Sequence, residues 1–472
     1  MKKKLQQILS GVLCTVIMAG LCGGQVRAID IEEEAKKAYE MPIQSNEQEG
    51  WPQGPKVYGK SAIVMDADTK AVLYAKNIDD RHFPASITKI MTAVLAMENG
   101  DLNTDKVLFS QESIDFLQPG DAYIAMRPGE EISLKDAMYG MMLASANEVS
   151  YAIAENIGKK LQGTGTDYEK FITAMNERAK QLGAKNTNFV NPHGLHNENH
   201  YTSVYDMALI SAELFKYPEI LEIMQTGEYT IPPTNLEKEP RIFQQKHEML
   251  LKYNKHFYQY CVGGKTGYTD EAGNTLVTLA DNGKMRLVCV EMETRGQHIY
   301  DDTKNLLDYG FQNFGKQEVK KSTLEKIEKK NRVQIKEDTL YVTMPNNGEQ
   351  TELDIRMEDS PSITYKNQTV GKVDAEKQSS HVKKDSSGKG KELIEKIDLG
   401  KLRKNSKLLI GIVAAAVVVL LLIVLLIIRI RRKKRRRSFL NSSRKVRARE
   451  RKRQRKMRRA AKKNQRRRRK RW

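Results

Sequence analysis

The chain carries three short motifs in a fixed order: Ser86-Ile87-Thr88-Lys89, Ser145-Ala146-Asn147 and Lys265-Thr266-Gly267. Together they supply a hydroxyl nucleophile, a lysine that can take its proton, and donors that can bind a substrate carboxylate. Any one of them occurs by chance in a chain of 472 residues. All three in this order predict both a fold and an acyl-transfer chemistry.

The first motif begins a predicted buried helix. Pro84 lies just before Ser86, and apolar residues recur at helical spacing as far as Asn99-Gly100. Unpaired N–H groups at a helix start favour a developing alkoxide, and Lys89 returns to the same face one turn later. To accept a proton Lys89 must be neutral, so we expect burial and Lys265 to lower its pKa. The alternative is a helix cap followed by a solvated lysine.

The second motif follows the apolar stretch 137–144, which predicts a core helix ending in a turn. On that turn the Ser145 hydroxyl can relay a proton and the Asn147 amide can hold a substrate amide. The alternative is an ordinary cap before a helix over 148–157.

The third motif begins a predicted edge strand, followed by a hairpin with strands over 274–280 and 285–292. Lys265 and Thr266 can bind a carboxylate through charge and hydroxyl donation, and Gly267 leaves room for a backbone to approach. The alternative is a basic turn entering a strand.

These residues resemble those of the low-molecular-mass penicillin-binding proteins, the serine D-alanyl-D-alanine carboxypeptidases of the penicillin-recognising serine hydrolase superfamily. The resemblance covers 57–315. It includes the flanking segments Phe83-Pro84-Ala85, Asn191-Pro192-His193-Gly194-Leu195, Tyr205-Asp206-Met207-Ala208, Gly267-Tyr268-Thr269 and Ala272-Gly273. One departure is Ala146, where these enzymes usually have glycine, and we expect at most a modest effect on the turn.

The resemblance implies an α/β (α+β) domain of the β-lactamase/transpeptidase-like type, with an antiparallel sheet beside a helical lobe. It implies Ser86 as nucleophile, Lys89 as general base and Ser145 as proton relay. Substrate binding would fall to Asn147, Lys265, Thr266, Gly267 and Tyr268, with the backbone N–H groups of Ser86 and Tyr268 as the oxyanion hole. No cofactor or metal is expected. The implied substrates are peptidoglycan stem peptides, and β-lactam antibiotics would be covalent inhibitors.

Two rival functions stay open at this point. A β-lactamase on the same fold needs a dedicated deacylating carboxylate, and no E-x-x-L-N-like segment lies between Asn147 and Lys265. A non-catalytic wall-binding or tethering protein would have no need of intact Ser86, Lys89 and Lys265.

The first 28 residues have the charged, apolar and small-residue regions of a secretory signal peptide, with cleavage expected after Ala28. Cys22 raises a lipoprotein alternative, but the preceding Leu21 is bulky where a lipobox requires a small residue. Residues 29–56 are acidic with little apolar periodicity and predict a mobile lead.

The C-terminal part divides into four predicted segments: a small β-rich domain over 317–373, a polar stalk over 374–406, a transmembrane helix over 408–428 and a basic tail over 429–472. The 21 apolar residues of the third segment span ~31 Å at ~1.5 Å per residue, which is about one bilayer core. The positive-inside rule then places the tail in the cytoplasm and the catalytic domain outside the cell membrane.

The tail holds 27 Lys or Arg residues and one acid, so it contributes +26 to a total formal charge of +21 and leaves −5 for the rest. The positive net charge of the whole chain therefore does not describe the catalytic region. The tail is expected to contact the membrane, with non-specific nucleic acid contact as a minority mode.

Two further clusters invite other interpretations. Cys261 and Cys289 lie in or next to predicted strands and are expected to be small buried hydrophobes, with a disulfide as the alternative. His193, His196 and His200 lack the H-E-x-x-H spacing of a zinc site, and loop histidines are the favoured interpretation.

Overall fold

The computed structural model describes residues 31–358 and 360–377. These residues belong to one compact unit, Met1–Ser380, and a second unit, His381–Trp472, lies beyond the described part of the chain. The predicted signal peptide, transmembrane helix and basic tail fall outside the described residues, as does the predicted stalk from 378 onward. No helix within the described ranges is long and apolar enough to cross a membrane.

A five-stranded antiparallel sheet forms the centre of the molecule, in the order β2-β1-β9-β8-β7. Its strands are β1 Ser61–Asp66, β2 Val72–Lys76, β7 Cys261–Thr269, β8 Gly273–Asp281 and β9 Arg286–Thr294. The sequence of 61–66 and 71–75 also predicts an opening hairpin, and both this hairpin and the predicted β8–β9 hairpin are confirmed to within two residues at each end. The strand that carries the third motif is an edge strand, as predicted.

The described helices are α1 Ile31–Tyr39, α2 Lys89–Asn99, α3 Glu112–Asp115, α4 Leu134–Met142, α5 Asn147–Gly158, α6 Asp167–Gln181, α7 Val204–Ala212, α8 Pro218–Gln225, α9 Ile299–Asn313 and α10 Lys321–Asn331. Seven of the ten described helices, α2 to α8, lie between β2 and β7 in the chain and form the predicted helical lobe. Two short hairpins, β3 Lys106–Leu108 with β4 Glu131–Ser133 and β5 Glu228–Ile231 with β6 Arg241–Gln244, flank the lobe.

Both faces of the sheet are buried. Alternate residues of β1 point to opposite sides, so Ile63 and Met65 join the core under the helical lobe, while Ala62 and Val64 join the core under α9. The fold is thus a mixed α/β domain in which one sheet separates two apolar cores. The helical lobe carries the first two motifs to the β7 edge of that sheet.

The predicted mobile lead over 29–56 differs from the structure. Residues 31–39 form α1, and Trp51 is buried, with its indole Nε1 donating to Leu73 O at 2.9 Å. Ser45 Oγ accepts from Ala75 N at 3.2 Å. These bonds engage Leu73 O and Ala75 N on the open edge of β2, so this part of the edge strand is covered. A search for apolar periodicity misses this segment, because its side chains contact β2 through hydrogen bonds to backbone atoms.

Beyond the catalytic region the chain forms short strands: β10 Phe314–Glu318, β11 Val333–Ile335, β12 Tyr341–Pro345, β13 Leu353–Arg356, β14 Ser362–Tyr365, β15 Gln368–Lys372 and β16 Ala375–Lys377. The helix α10 among them was not predicted. β16 pairs with β11 and occupies the first residues of the predicted stalk, so strand structure continues past 373.

Candidate active site

Ser86 lies in a short 3₁₀ turn, Ala85–Thr88, which leads directly into α2. The predicted helix start is therefore present, but its first turn is tighter than an α-helix. Ala85 has φ +50, a left-handed conformation that costs free energy for a residue with a side chain. The turn therefore has to be held by its surroundings, and Ser86 itself stays partly exposed.

A hydrogen-bond chain from His200 holds this turn. Val190 N donates to His200 Nδ1 at 3.0 Å, so the ring proton sits on Nε2, which lies 2.8 Å from Thr88 Oγ1. Thr88 Oγ1 in turn donates to Ala85 O at 2.8 Å. Burial lowers the pKa of His200 to about 3, so the ring stays neutral at physiological pH. Sequence reasoning missed this role; only the tertiary fold brings His200 under the turn.

Two further contacts fix the turn from other elements. Thr275 Oγ1 of β8 donates to Pro84 O at 2.9 Å. Gly194 packs so closely that a Cβ there would lie 1.8 Å from Ala85 O, and its φ is +88. Only glycine fits this place, which explains why the Asn191–Leu195 segment carries one.

Lys89 Nζ lies at the centre of the candidate site. It is 2.6 Å from His193 O, 2.7 Å from Asn147 Oδ1 and 3.1 Å from Ser86 Oγ. Lys89 is fully buried, and burial first, then the charge of Lys265, holds its pKa well below the usual value. This confirms the expected lowering of the Lys89 pKa. The solvated-lysine alternative is wrong.

The three oxygen atoms around Lys89 Nζ suit a neutral amine. The two carbonyl oxygens carry no proton, so they take the two N–H bonds of an NH₂ group. The nitrogen lone pair then faces the Ser86 hydroxyl, which can donate to it. The geometry is that of a base next to a nucleophile.

The second motif occupies the turn between α4 and α5. Ser145 is buried with φ +64, and Asn147 is the first residue of α5 with its side chain on Lys89. The cap of α5 is Ala146, without a side-chain bond, so the interpretation of Ser145 or Asn147 as an ordinary cap is wrong. The backbone of Ala146 has φ −61, a conformation open to any residue, so alanine introduces no strain at this position.

The third motif lies along β7. Lys265 is buried, its Nζ donates to Thr266 O at 3.0 Å, and burial followed by the charge of Lys246 lowers its pKa to about 7. A Cβ at Gly267 would lie 2.3 Å from Thr275 Oγ1 and 2.8 Å from Ser86 N. Glycine is therefore required where the edge strand meets the nucleophile turn. Tyr268 is exposed, and its hydroxyl donates to Asp270 Oδ1 at 3.1 Å.

The three histidines of the 193–200 segment serve separate contacts. The carbonyl of His193 binds Lys89, and its ring stacks on Phe116 with centroids 4.9 Å apart. His196 meets the edge of Phe83 at 4.6 Å. Among the described residues no group of three acidic, histidine or cysteine side chains is placed to hold a metal ion. Cys261 and Cys289 are buried free thiols, so the disulfide alternative is wrong.

The structure thus brings Ser86, Lys89, Asn147, Lys265 and Gly267 to one place, with Ser145 on the adjoining turn. A serine beside a buried lysine of lowered pKa at a helix start, next to a Lys-Thr-Gly edge strand, defines a class of enzymes that form an ester on the serine. The chain belongs to the peptidase S11 family of D-alanyl-D-alanine carboxypeptidases, whose model matches residues 48–296.

Curated relatives of this chain carry the same description. D-alanyl-D-alanine carboxypeptidase DacF of Bacillus subtilis (strain 168) is 41% identical over 237 residues, which cover 49% of this chain and 56% of the relative. DacA of Haemophilus influenzae is 32% identical over 269 residues, 55% of this chain and 63% of the relative. The chain therefore matches less than two thirds of the length of these relatives.

A solved structure has the same fold. The crystal structure of the Streptomyces K15 DD-transpeptidase is similar to this chain with a TM-score of 0.50 and 26% identity. The likeness covers 55% of this chain and 99% of that protein.

Proposed function

We propose that this protein is a serine-type D-Ala-D-Ala carboxypeptidase that removes the terminal D-alanine from peptidoglycan stem peptides through an acyl-enzyme on Ser86. The observation that carries the proposal is the position of Lys89 Nζ, 3.1 Å from Ser86 Oγ and fully buried. Family membership supports it, and so do the names of the relatives, which are carboxypeptidases of this specificity.

In the proposed reaction the Ser86 hydroxyl gives its proton to Lys89 as the oxygen attacks the carbonyl carbon of the penultimate D-alanine. The negative charge that develops on the carbonyl oxygen is stabilised by the backbone N–H groups of Ser86 and Tyr268. Ser145 passes a proton to the departing amine, and D-alanine leaves. Water then attacks the ester, and the stem peptide is released with a new terminal carboxylate.

Substrate orientation is assigned to the edge strand and to Asn147. Lys265 and Thr266 bind the terminal carboxylate of the substrate, since a buried cation next to a hydroxyl is suited to a carboxylate. Asn147 binds the substrate amide, and Gly267 lets the substrate backbone lie close to β7. β-Lactam antibiotics present a carbonyl and a carboxylate to the same groups, so we propose that they acylate Ser86 as well.

Two measurements test this function. Mass spectrometry after penicillin treatment is expected to find one adduct, on Ser86, and none in the Ser86→Ala variant. The purified protein is expected to release D-alanine from a peptide ending in D-Ala-D-Ala. An adduct on Ser86→Ala, or none on the wild type, would refute the assignment of the nucleophile.

The same proposal distinguishes a carboxypeptidase from a β-lactamase. The sequence between Asn147 and Lys265 holds no E-x-x-L-N-like segment to supply a deacylating carboxylate. The penicilloyl ester should therefore persist far longer than the peptidyl ester, because its bulky ring-opened product stays in the site. Rapid multiple turnover of penicillin would contradict the proposal and favour a β-lactamase.

We also propose an exported, single-pass membrane protein with its catalytic domain outside the cell. The support is the sequence of 1–28 and 408–428, together with a β-rich domain over 317–373 and a stalk up to 406 that would separate the active site from the membrane. Protease added to intact cells should remove the catalytic region and spare an epitope placed at the C-terminus. Cleavage of that epitope from outside would contradict the proposed topology.

The basic tail is proposed to lie on the anionic inner surface of the membrane. Juxtamembrane Lys and Arg residues gain about 1 kcal/mol each near such a surface, while nucleic acid offers a salt-sensitive, non-specific alternative. A peptide of residues 429–472 should bind anionic vesicles with steep salt dependence. Retention of RNA at physiological salt, without binding to these vesicles, would refute the lipid proposal.

A further inference from the structure

Glu148 directly follows the second motif, and the proposed chemistry leaves it without a role. It is the second residue of α5, and its side chain is fully buried. Oε1 accepts from Ile124 N at 2.7 Å, whereas Oε2 is buried without a hydrogen-bond partner among the described residues. A buried carboxylate that is only half satisfied costs stability, so its presence here needs a reason.

The Glu148 side chain and the backbone of its neighbour bind the same loop. Asn147 N donates to Ala122 O at 2.8 Å, while the Glu148 carboxylate receives Ile124 N. Between these two bonds the loop exposes Tyr123, which is 60% accessible. A chain of hydrogen bonds thus runs from the 121–126 loop through the start of α5 to Lys89. Its last bond joins Asn147 Oδ1 and Lys89 Nζ.

The charges around Lys89 give Glu148 a second consequence. Lys265 from β7 and Lys246 from the segment after β6 lower the pKa of Lys89, while Glu148 from α5 and Asp121 from the loop raise it. Of the two acids only Glu148 is fully buried. Burial raises the pKa of Glu148, while backbone N–H groups, that of Ile124 first, and the charge of Lys89 oppose this shift. In its ionised form the buried carboxylate is shielded less by water than Asp121 is.

We propose that Glu148 is a positioning residue of the acylation site: its carboxylate fixes the 121–126 loop against α5, keeps Asn147 on Lys89 and offsets the charge of the buried lysines. This inference rests on the proposed function, because it assumes that Lys89 takes the proton of Ser86. It adds a role for a side chain that lies outside the three motifs.

The test is the rate of penicillin acylation of the full-length protein across pH, for wild type, Glu148→Gln and Glu148→Ala. Glutamine keeps an oxygen for Ile124 N and loses the charge, whereas alanine loses both. The expected slowing is about tenfold for Glu148→Gln, which loses only the charge, and about a hundredfold for Glu148→Ala, which also loses the buried hydrogen bond.

The pH profile separates positioning from simple loss of structure. Without the Glu148 charge Lys89 loses its proton more easily, so the acid limb of the acylation profile should move to lower pH in both variants. Glu148→Asp keeps the charge but is too short to reach Ile124 N. It should acylate more slowly than wild type with the acid limb unmoved, and it carries the test if the other two variants do not fold.

Glu155→Gln is the matched control. Glu155 lies two turns further along α5, half-buried, and accepts from Ser110 Oγ at 2.7 Å. The acylation rate and the pH profile of the Glu155→Gln variant should equal those of wild type. A wild-type rate in Glu148→Gln, or slower acylation of Glu148→Gln with an unmoved acid limb, would overturn the inference. A shifted acid limb in Glu148→Asp, which keeps the charge, would overturn it as well. Failure of the wild type to react with penicillin would instead refute the proposed function.

Discussion

Two buried lysines lie near opposite edges of the central sheet, and their surroundings differ. Lys89 donates to His193 O and Asn147 Oδ1, and Lys76 donates to Ala38 O and Val57 O, both at 2.7 Å. Each therefore has two oxygen acceptors that carry no proton. Lys89 has a third neighbour, the Ser86 hydroxyl, and a cation, Lys265, close by.

Lys76 has carboxylates for neighbours instead. Burial lowers its pKa to about 8, and the charges of Glu291 and Asp302 oppose that shift. Its two acceptors belong to the N-terminal segment, so Lys76 fastens that segment to the sheet edge. Burial and two carbonyl partners are therefore common to both lysines. What distinguishes Lys89 as the proposed base is the Ser86 hydroxyl beside it and the nearby charge of Lys265.

Replacing each lysine by methionine should give the largest and most opposite effects. Lys89→Met removes the proposed base and should slow acylation by roughly 10³-fold or more, with a small change in the melting temperature. Lys76→Met leaves the Ala38 and Val57 carbonyls without their donor, and should cost about 3 kcal/mol of unfolding free energy with near-normal acylation. Penicillin-binding rates and denaturant titrations measure both. If both substitutions abolished activity and left stability unchanged, the proposed difference in role between Lys89 and Lys76 would be wrong.

Substrate affinity should weaken as pH rises, because Lys265 binds the terminal carboxylate only as a cation. Its pKa is lowered to about 7, so its charge in the free protein is lost as pH rises through that value. KM for a D-Ala-D-Ala peptide should increase about tenfold per pH unit above this point. Lys265→Arg, which stays charged, should have a flat KM over the same range. A flat profile in the wild type would mean that Lys265 is not the carboxylate anchor.

On the Lys76 side the pH effect should appear in stability. Burial raises the pKa of Asp302 to about 7 from a usual value near 3.8. Between these values the folded protein binds more protons at Asp302 than the unfolded chain does, so the unfolding free energy should fall as pH rises through this window. Asp302→Asn keeps an oxygen for Tyr58 N, 2.6 Å away, and should reduce the slope. An unchanged slope would assign the proton uptake to another group.

The smallest effect is expected at Ala146. Its ordinary φ gives glycine no conformational advantage, so Ala146→Gly should change the acylation rate by less than about twofold. Loss of the buried methyl group should cost about 1 kcal/mol of unfolding free energy. A large gain in rate would show that alanine distorts the turn after all.

Local patterns predicted much of the catalytic region. Alternation placed β1, β8 and β9 to within two residues, and the third motif was expected on an edge strand, where it lies. The N-terminal segment was missed because Trp51 and Ser45 bind the β2 edge through polar atoms, a pattern with no period. Helix α10 was missed because its face is mostly polar, with only Thr323 and Ile327 buried.

The candidate site divides in the same way. The motif residues could be named from the sequence because their chemistry and spacing are local. His200, Thr275 and Glu148 could not be singled out, since each acts through a partner far along the chain or on another element: Thr88, Pro84 and Ile124. In the sequence, a histidine that fixes a strained turn cannot be distinguished from an ordinary loop histidine.

The sequence by itself determined the order of the three motifs, the mixed α/β class and the chemical identity of the reacting groups, because residue type and local period are properties of a short stretch of chain. Only the tertiary structure decided the state of those groups. The low pKa of Lys89 comes from burial and from Lys265, which is 176 positions away along the chain. The difference between Lys89 and Lys76 is likewise one of surroundings, and surroundings are assembled only when distant segments pack together.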